Sequence, residues 1–205
     1  MSRALATQLL GTGIRDPRVL AAIEQVPRHL FVPEAVRAEA DADRPLPIGH
    51  GQTISQPYIV AYMTEVLRLT GRERVLEVGT GSGYQTAVLA FLAREVYSVE
   101  IVPELSARAA EVLFELGFRN VRLRVGDGRS GWPEAAPFER IIVTAAPAAV
   151  PEALEAQLGP GGRLVIPVGA DPEAQMLEVI DRGDDGVSTV TELLPVRFVP
   201  LMGSP

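Results

Sequence analysis

A doubly wound α/β domain, with a mostly parallel sheet covered by helices on both faces, is the fold class this sequence predicts. Three observations predict it. From Arg74 onward, apolar runs of strand length alternate with segments of helical period. A bare glycine turn, "VGTGSGY", joins the first of these strands to the first of these helices. The chain has 205 residues, 47% hydrophobic and 22% charged, enough for one ordinary domain, 1–205, with a real core.

The elements follow in order. Residues 1–40 read as helical. Asp16 before Pro17 marks a helix start, because the carboxylate accepts from free N–H groups and proline suits the first turn. Val19, Leu20, Ile23 and Val26 then recur at helical spacing, and "PRHLFVP" (27–33) ends that helix between prolines. Residues 41–53, "DADRPLPIGHGQT", carry no period and read as a loop long enough to suggest work at a site. "ISQPYIVAYMTEVLRL" (54–69) reads as a helix with Ser55 at its start. "RVLEVG", "EVYSVEI", "NVRLRVGD", "RIIVTAA" and "RLVIPVG" are strands. "YQTAVLAFLA", "PELSARAAEVLFELG" and "PEALEAQL" are the helices between them, and "GPGG" is a tight turn. "QMLEVIDRG" and "VSTVTELLPVRFVPL" form two further strands around "DDG", an antiparallel addition to the sheet. Residues 1–53 are therefore a helical and loop extension, and 54–205 the α/β core.

Composition excludes several function classes. There is no cysteine, so no disulfide, thiolate catalysis or cysteine-bound metal. The two histidines, His29 and His50, match no metal spacing, and no metal is expected. The net charge is −7 and no basic run occurs, which argues against nucleic acid and anionic membranes as partners. The N-terminal stretch has no long apolar core, and no apolar run is long enough to span a bilayer. A cytoplasmic monomer is the expectation.

The glycine turn narrows the ligand. Gly79, Gly81 and Gly83 place backbone N–H groups at a helix N-terminus, where such sheets bind nucleotides. A dinucleotide site calls for G-x-G-x-x-G, but Tyr84 stands at the third glycine position. A phosphate loop calls for lysine, and the chain has none. The turn, including Thr80 and Ser82, suits a nucleoside with a polar tail, such as S-adenosylmethionine. Glu100 ends the second strand and can accept from both ribose hydroxyls, or be a solvated strand-end carboxylate. Asp127 and Gly128 end the third, where aspartate can accept from an adenine amine and glycine admits the ring; Asp-Gly also makes plain turns.

These motifs, together with "VPRHLFVPE", "GHGQTISQPYIVAYMTE" (49–65), "FERIIVTAAP" (138–147), "LGPGGRLVIPVG" (158–169) and "VRFVPL", resemble the bacterial type of protein-L-isoaspartate O-methyltransferase over nearly the whole chain. The resemblance implies a seven-stranded Rossmann-like methyltransferase sheet. It also implies methyl transfer from S-adenosylmethionine to the free α-carboxylate of L-isoaspartyl residues in damaged proteins and peptides. The resulting ester closes to a succinimide, whose hydrolysis returns part of the material to normal aspartyl. By resemblance Ser55, in Thr53-Ile54-Ser55, is the active-site hydroxyl. Gln52, Thr53, Ile54 and Ser55 border cofactor, Thr53 and Ser55 border substrate, and backbone groups of Val199, Pro200 and Leu201 can pair with the peptide.

The chemistry suits this inventory. A carboxylate is already ionised at neutral pH and needs no base. Opposite charges cancel as the methyl moves, so a neutral hydroxyl that orients the carboxylate is the sensible tool, and orientation can contribute several kcal/mol. Ser55 has a second reading as a helix N-cap, with Pro57 in the first turn. "VTAAP" should border the methyl and acceptor side. "VPRHLFVP" and "RFVPL" line a peptide groove or pack the core. Met202 stands where relatives often carry threonine or serine. Two alternatives stay open: a methyltransferase of the same fold acting on another carboxylate, a small molecule or RNA, and a binding module without turnover. "TAAP" in place of an Asn-Pro-Pro-Tyr type motif weighs against methylation of base amines.

Overall fold

The computed structural model describes residues 2–203. The order is α1 (Arg3–Gly11), α2 (Pro17–Gln25), two 3-10 turns (Arg28–Phe31 and Glu34–Glu39), β1 (Leu46–Gly49), β2 (Gln52–Ile54) and α3 (Pro57–Val66). There follow β3 (Arg74–Val78), α4 (Tyr84–Leu92), β4 (Glu95–Glu100), α5 (Pro103–Glu115), β5 (Val121–Val125) and β6 (Phe138–Val143). The chain closes with α6 (Glu152–Ala156), β7 (Leu158–Val168), β8 (Gln175–Arg182) and β9 (Ser188–Val196).

Seven strands form one sheet in the order β5-β4-β3-β6-β7-β8-β9. Pairings are parallel from β5 through β7, and β8 and β9 add antiparallel. The chain winds outward from β3 to β5, then returns to place β6 on the other side of β3. That reversal opens a crevice beyond the carboxyl ends of β3 and β6, where ligands bind in open α/β sheets. β3 and β4 are buried on both faces, so even their polar members Glu77 and Ser98 lie inside the core.

The helices cover the sheet for legible reasons. Asp16 Oδ1 accepts from Arg18 N–H at 2.8 Å, the cap expected of Asp-Pro. α5 is amphipathic and buries Leu105, Ser106, Ala109 and Leu113. α4 is buried almost all round, because α2 and α3 pack over its outer face. Leu5, Leu9, Val19 and Ile23 of the first two helices join the same apolar cluster as Val88 and Leu89 of α4. Among the described residues no helix is long and apolar enough to cross a membrane.

Four expectations need correction. The stretch 41–53 is not all loop: β1 and β2 pair antiparallel, with Leu46, Ile48 and Ile54 buried. Its prolines and glycines hide a strand alternation that only a partner strand stabilises. The helix read from 54 starts at Pro57, so Ser55 lies outside it and is no cap; its N-cap, Gln56, makes no side-chain capping bond. Asp43 caps it instead, accepting from Tyr58 N–H at 2.8 Å. "GPGG" is not a separate turn: β7 begins at Leu158, and residues 159–162 bulge where only Glu139 lies between the paired Phe138 and Arg140. The last strand stops at Val196 rather than running through "RFVPL".

Candidate active site

The crevice is lined by β3, β4 and β6 ends, by the β1–β2 hairpin and by the segment after β9. It holds about 750 Å³ of empty space, part of it open to solvent. Gly79 has φ +96°, and a Cβ there would stand 2.3 Å from Thr144 Oγ1. A Cβ on Gly128 would stand 2.4 Å from Val78 Cγ1. Both positions need glycine so that backbone can form the crevice wall.

Glu100 is buried at the end of β4. Its Oε2 accepts from Gly81 N–H at 2.7 Å and its Oε1 from Val102 N–H at 2.9 Å. The carboxylate therefore locks the glycine turn while facing the crevice. Thr144 Oγ1 donates toward Gly79 C=O at 2.6 Å and lies 3.1 Å from Val78 C=O. β3 and β6 are thus stitched together at the point where the sheet reverses.

Of the expected cofactor residues, Gln52, Thr53, Ile54, Ser55, Gly79, Thr80, Gly81, Ser82, Glu100 and Gly128 line this crevice. Two are placed elsewhere. Gly83 N-caps α4 with φ +87° and faces Ala109 of α5, where a Cβ would come within 3.0 Å; it permits helix packing. Asp127 caps the following 3-10 turn through Arg129 N–H at 2.9 Å and pairs with the Arg129 guanidinium at 2.6 Å.

A second cavity, about 1100 Å³ of open space, lies beside the first. Both are lined by Thr53, Ser55, Thr144 and Val199, so these four mark the junction. Ile59, Pro172, Glu173 and Arg197 line the outer cavity. Thr144 is committed to the β3 carbonyls, whereas neither Thr53 nor Ser55 makes a side-chain hydrogen bond to the described residues. The backbone of Val199 and Leu201 is partly spent. Ala146 N–H donates to Val199 C=O, and Leu201 N–H donates to Ala146 C=O, each at 2.8 Å. Those two groups hold the last segment on the sheet and are closed to an added peptide.

Sequence reading assigned no role to Glu77, Arg28 or Asp43. Glu77 is fully buried in β3 beneath the turn, and burial pushes its carboxyl up to about 8, against the opposing bonds from Ser98 and Thr86. Thr86 Oγ1 and Ser98 Oγ donate to its Oε2 at 2.5 and 2.6 Å, and Thr80 Oγ1 lies 2.6 Å from Ser98 Oγ. The acidic residue inside an apolar strand was the available signal. In "VPRHLFVP", Arg28, Phe31 and Val32 are buried and Phe31 meets Tyr84 edge-on at 5.6 Å, while His29 and Leu30 are exposed.

A bare glycine turn, a carboxylate at the second strand end and a hydroxyl-lined junction on a reversing parallel sheet define an S-adenosylmethionine-dependent methyltransferase. Comparison with known proteins makes this particular. The chain belongs to the family Protein-L-isoaspartate(D-aspartate) O-methyltransferase (PCMT), which matches residues 1–204. It is 65% identical to protein-L-isoaspartate O-methyltransferase 1 of Anaeromyxobacter sp. strain Fw109-5, over all of this chain and 95% of that one. A solved protein-L-isoaspartate O-methyltransferase superposes with TM-score 0.91 at 30% identity, covering 99% of this chain and 66% of the other. A Plasmodium falciparum structure, a putative member in complex with S-adenosyl-L-homocysteine, gives 0.85 at 26% identity and covers 98% of both.

Proposed function

We propose that this chain methylates the free α-carboxylate of L-isoaspartyl residues in damaged proteins and peptides, with S-adenosylmethionine as methyl donor. The observation that carries the reading is the junction: one crevice shaped for a nucleoside and one open cavity meet at the unspent hydroxyl of Ser55. The cofactor, when bound, supplies an activated methyl group.

The chain's own residues bind, orient and exclude water. Gly79, Thr80, Gly81, Ser82 and Gly128 offer bare backbone or small side chains to the cofactor, and Glu100 offers carboxylate lone pairs to its ribose. Buried Ile54 and Val60 wall the crevice with apolar surface. Ser55 donates to the acceptor carboxylate and holds one oxygen toward the crevice, and Thr53 flanks it. A neutral donor fits an acceptor whose charge disappears as the ester forms. Asp127 takes the adenine amine beside Gly128 by turning from Arg129. Val199, Pro200 and Leu201 border the peptide by shape, since Val199 C=O and Leu201 N–H are already paired. Residues 1–53 form the acceptor-side extension; the unit works as a monomer, and its cysteine-free composition suits the cytoplasm.

A direct test uses isoaspartyl peptides carrying either the α-carboxylate or an α-carboxamide. Methyl transfer to the carboxylate form alone supports the reading. Equal labelling of both would place the acceptor atom elsewhere.

A further inference from the structure

Ser55 has an unusual setting for a residue asked to aim a substrate: it lies in neither a helix nor a strand, yet it is held from both sides. On one side is Arg28. Its guanidinium is buried, at 1% exposure, and forms no ion pair with a carboxylate among the described residues. It spends its two terminal nitrogens on carbonyls instead, and its Nε is buried without a partner among the described residues. NH1 donates to Ala40 C=O, and NH2 donates to Ser55 C=O at 3.0 Å and reaches toward Arg44 C=O at 3.4 Å. The cation also lies over the Tyr84 ring, 5.6 Å from its centroid, and Tyr84 lines the crevice. Burying an arginine to bind backbone is costly, so the position of those carbonyls is strongly determined.

On the other side is Asp43. Its Oδ1 accepts from Tyr58 N–H at 2.8 Å and its Oδ2 from Gln56 Nε2 at 3.0 Å. The segment 40–44 is therefore tied to Ser55 through Arg28, and to the residues just after Ser55 through Asp43. Both ties use backbone or neighbouring groups and leave the Ser55 hydroxyl unspent.

We propose that Arg28 and Asp43 are positioning residues, a clasp whose work is to fix the Ser55 hydroxyl at the junction of the two cavities. This rests on Ser55 orienting the acceptor carboxylate. A rigid fork is needed because a reacting group misplaced by about 1 Å can lose roughly 100-fold in rate. Arg28 offers that fork, and a lysine would keep the charge without it.

Double-mutant cycles on the full chain test the clasp. Arg28→Gln, Arg28→Lys, Asp43→Ala and Ser55→Ala are compared, with Arg28→Gln and Asp43→Ala each also combined with Ser55→Ala. The readouts are kcat and KM for an isoaspartyl peptide and, separately, the cofactor Kd. The expected result is a loss of about 10-fold or more in kcat for Arg28→Gln and Asp43→Ala, with cofactor Kd within about 2-fold of wild type. Arg28→Lys should recover part of the loss. Each double mutant should be no slower than Ser55→Ala alone, because a clasp has nothing to aim once the hydroxyl is gone. Losses that add fully in the double mutants, or cofactor affinity that falls in step with kcat, would overturn the clasp while leaving Ser55 its role. Wild-type turnover in Ser55→Ala would instead remove the premise, and the clasp with it. Where Arg28→Gln does not fold, the Asp43 cycle decides, since that side chain is only half-buried.

Discussion

Gly81 N–H donates to Glu100 Oε2 at 2.7 Å, so the acidic residue at the end of the second parallel strand also braces the glycine turn at the end of the first. One carboxylate thereby couples two walls of the crevice. Val102 N–H occupies Oε1 at 2.9 Å, which fixes the group's rotation as well as its place.

Glu100→Gln puts an amide N–H₂ where one of two backbone N–H groups now finds an acceptor. A buried donor facing a donor costs about 1–3 kcal/mol, so cofactor Kd should rise about 10-fold or more. Calorimetric titration with S-adenosylhomocysteine checks this. An unchanged Kd would show that the ribose is held by other groups.

Gly79→Ala should be among the most damaging single methyl additions in the chain. The residue sits at φ +96°, and the new Cβ would meet Thr144 Oγ1 at 2.3 Å. Strain and overpacking together should lower stability by about 2–4 kcal/mol. Urea denaturation measures it, and a loss under about 0.5 kcal/mol would mean that β3 and β6 separate easily at the crevice.

Ser55→Ala should lower kcat for isoaspartyl peptide by about 10- to 100-fold and leave cofactor Kd near wild type. Steady-state kinetics with separate binding measurements distinguish the two effects. Parallel loss of both would make Ser55 a cofactor residue rather than an acceptor-positioning one.

Glu77 gives a pH prediction. Its folded carboxyl is raised to about 8 from 4.5 by burial, so the folded state holds a proton that the unfolded state has released between these values. Its contribution to stability is fully present below about pH 4.5 and is lost as pH rises toward 8. Glu77→Gln keeps the shape and removes the titration. The stability of wild type relative to this variant should therefore fall by a few kcal/mol from about pH 5 to about pH 9. A difference that stays flat across that range would show an ionised Glu77 throughout.

Much of this molecule was legible in its sequence because local pattern and tertiary role agreed. The strand–helix alternation around β3 and β4 marked a sheet covered on both faces, and Asp16-Pro17 capped the helix it announced. The positions of Gly79, Gly81, Glu100 and Gly128 followed from the strand ends that carry them. What stayed hidden depended on partners distant in sequence. The hairpin needs β1 opposite β2 before its alternation means anything. Pro57 marked the first turn of its helix, but the cap comes from Asp43, distant in sequence, so Ser55 was read as the capping candidate. Arg28 had no individual reading within "VPRHLFVP" because its acceptors, Ala40 and Ser55, come from other segments. Gly83 and Asp127 matched a motif whose positions serve packing and turn formation as well as ligand contact.

The most direct measurement is methyl transfer from labelled S-adenosylmethionine to two synthetic peptides that differ only in one isoaspartyl or normal aspartyl linkage. A base-labile ester on the isoaspartyl peptide alone is the expected result. Equal labelling of both peptides, or label on neither while the cofactor binds, would contradict the assignment of the isoaspartyl α-carboxylate as acceptor.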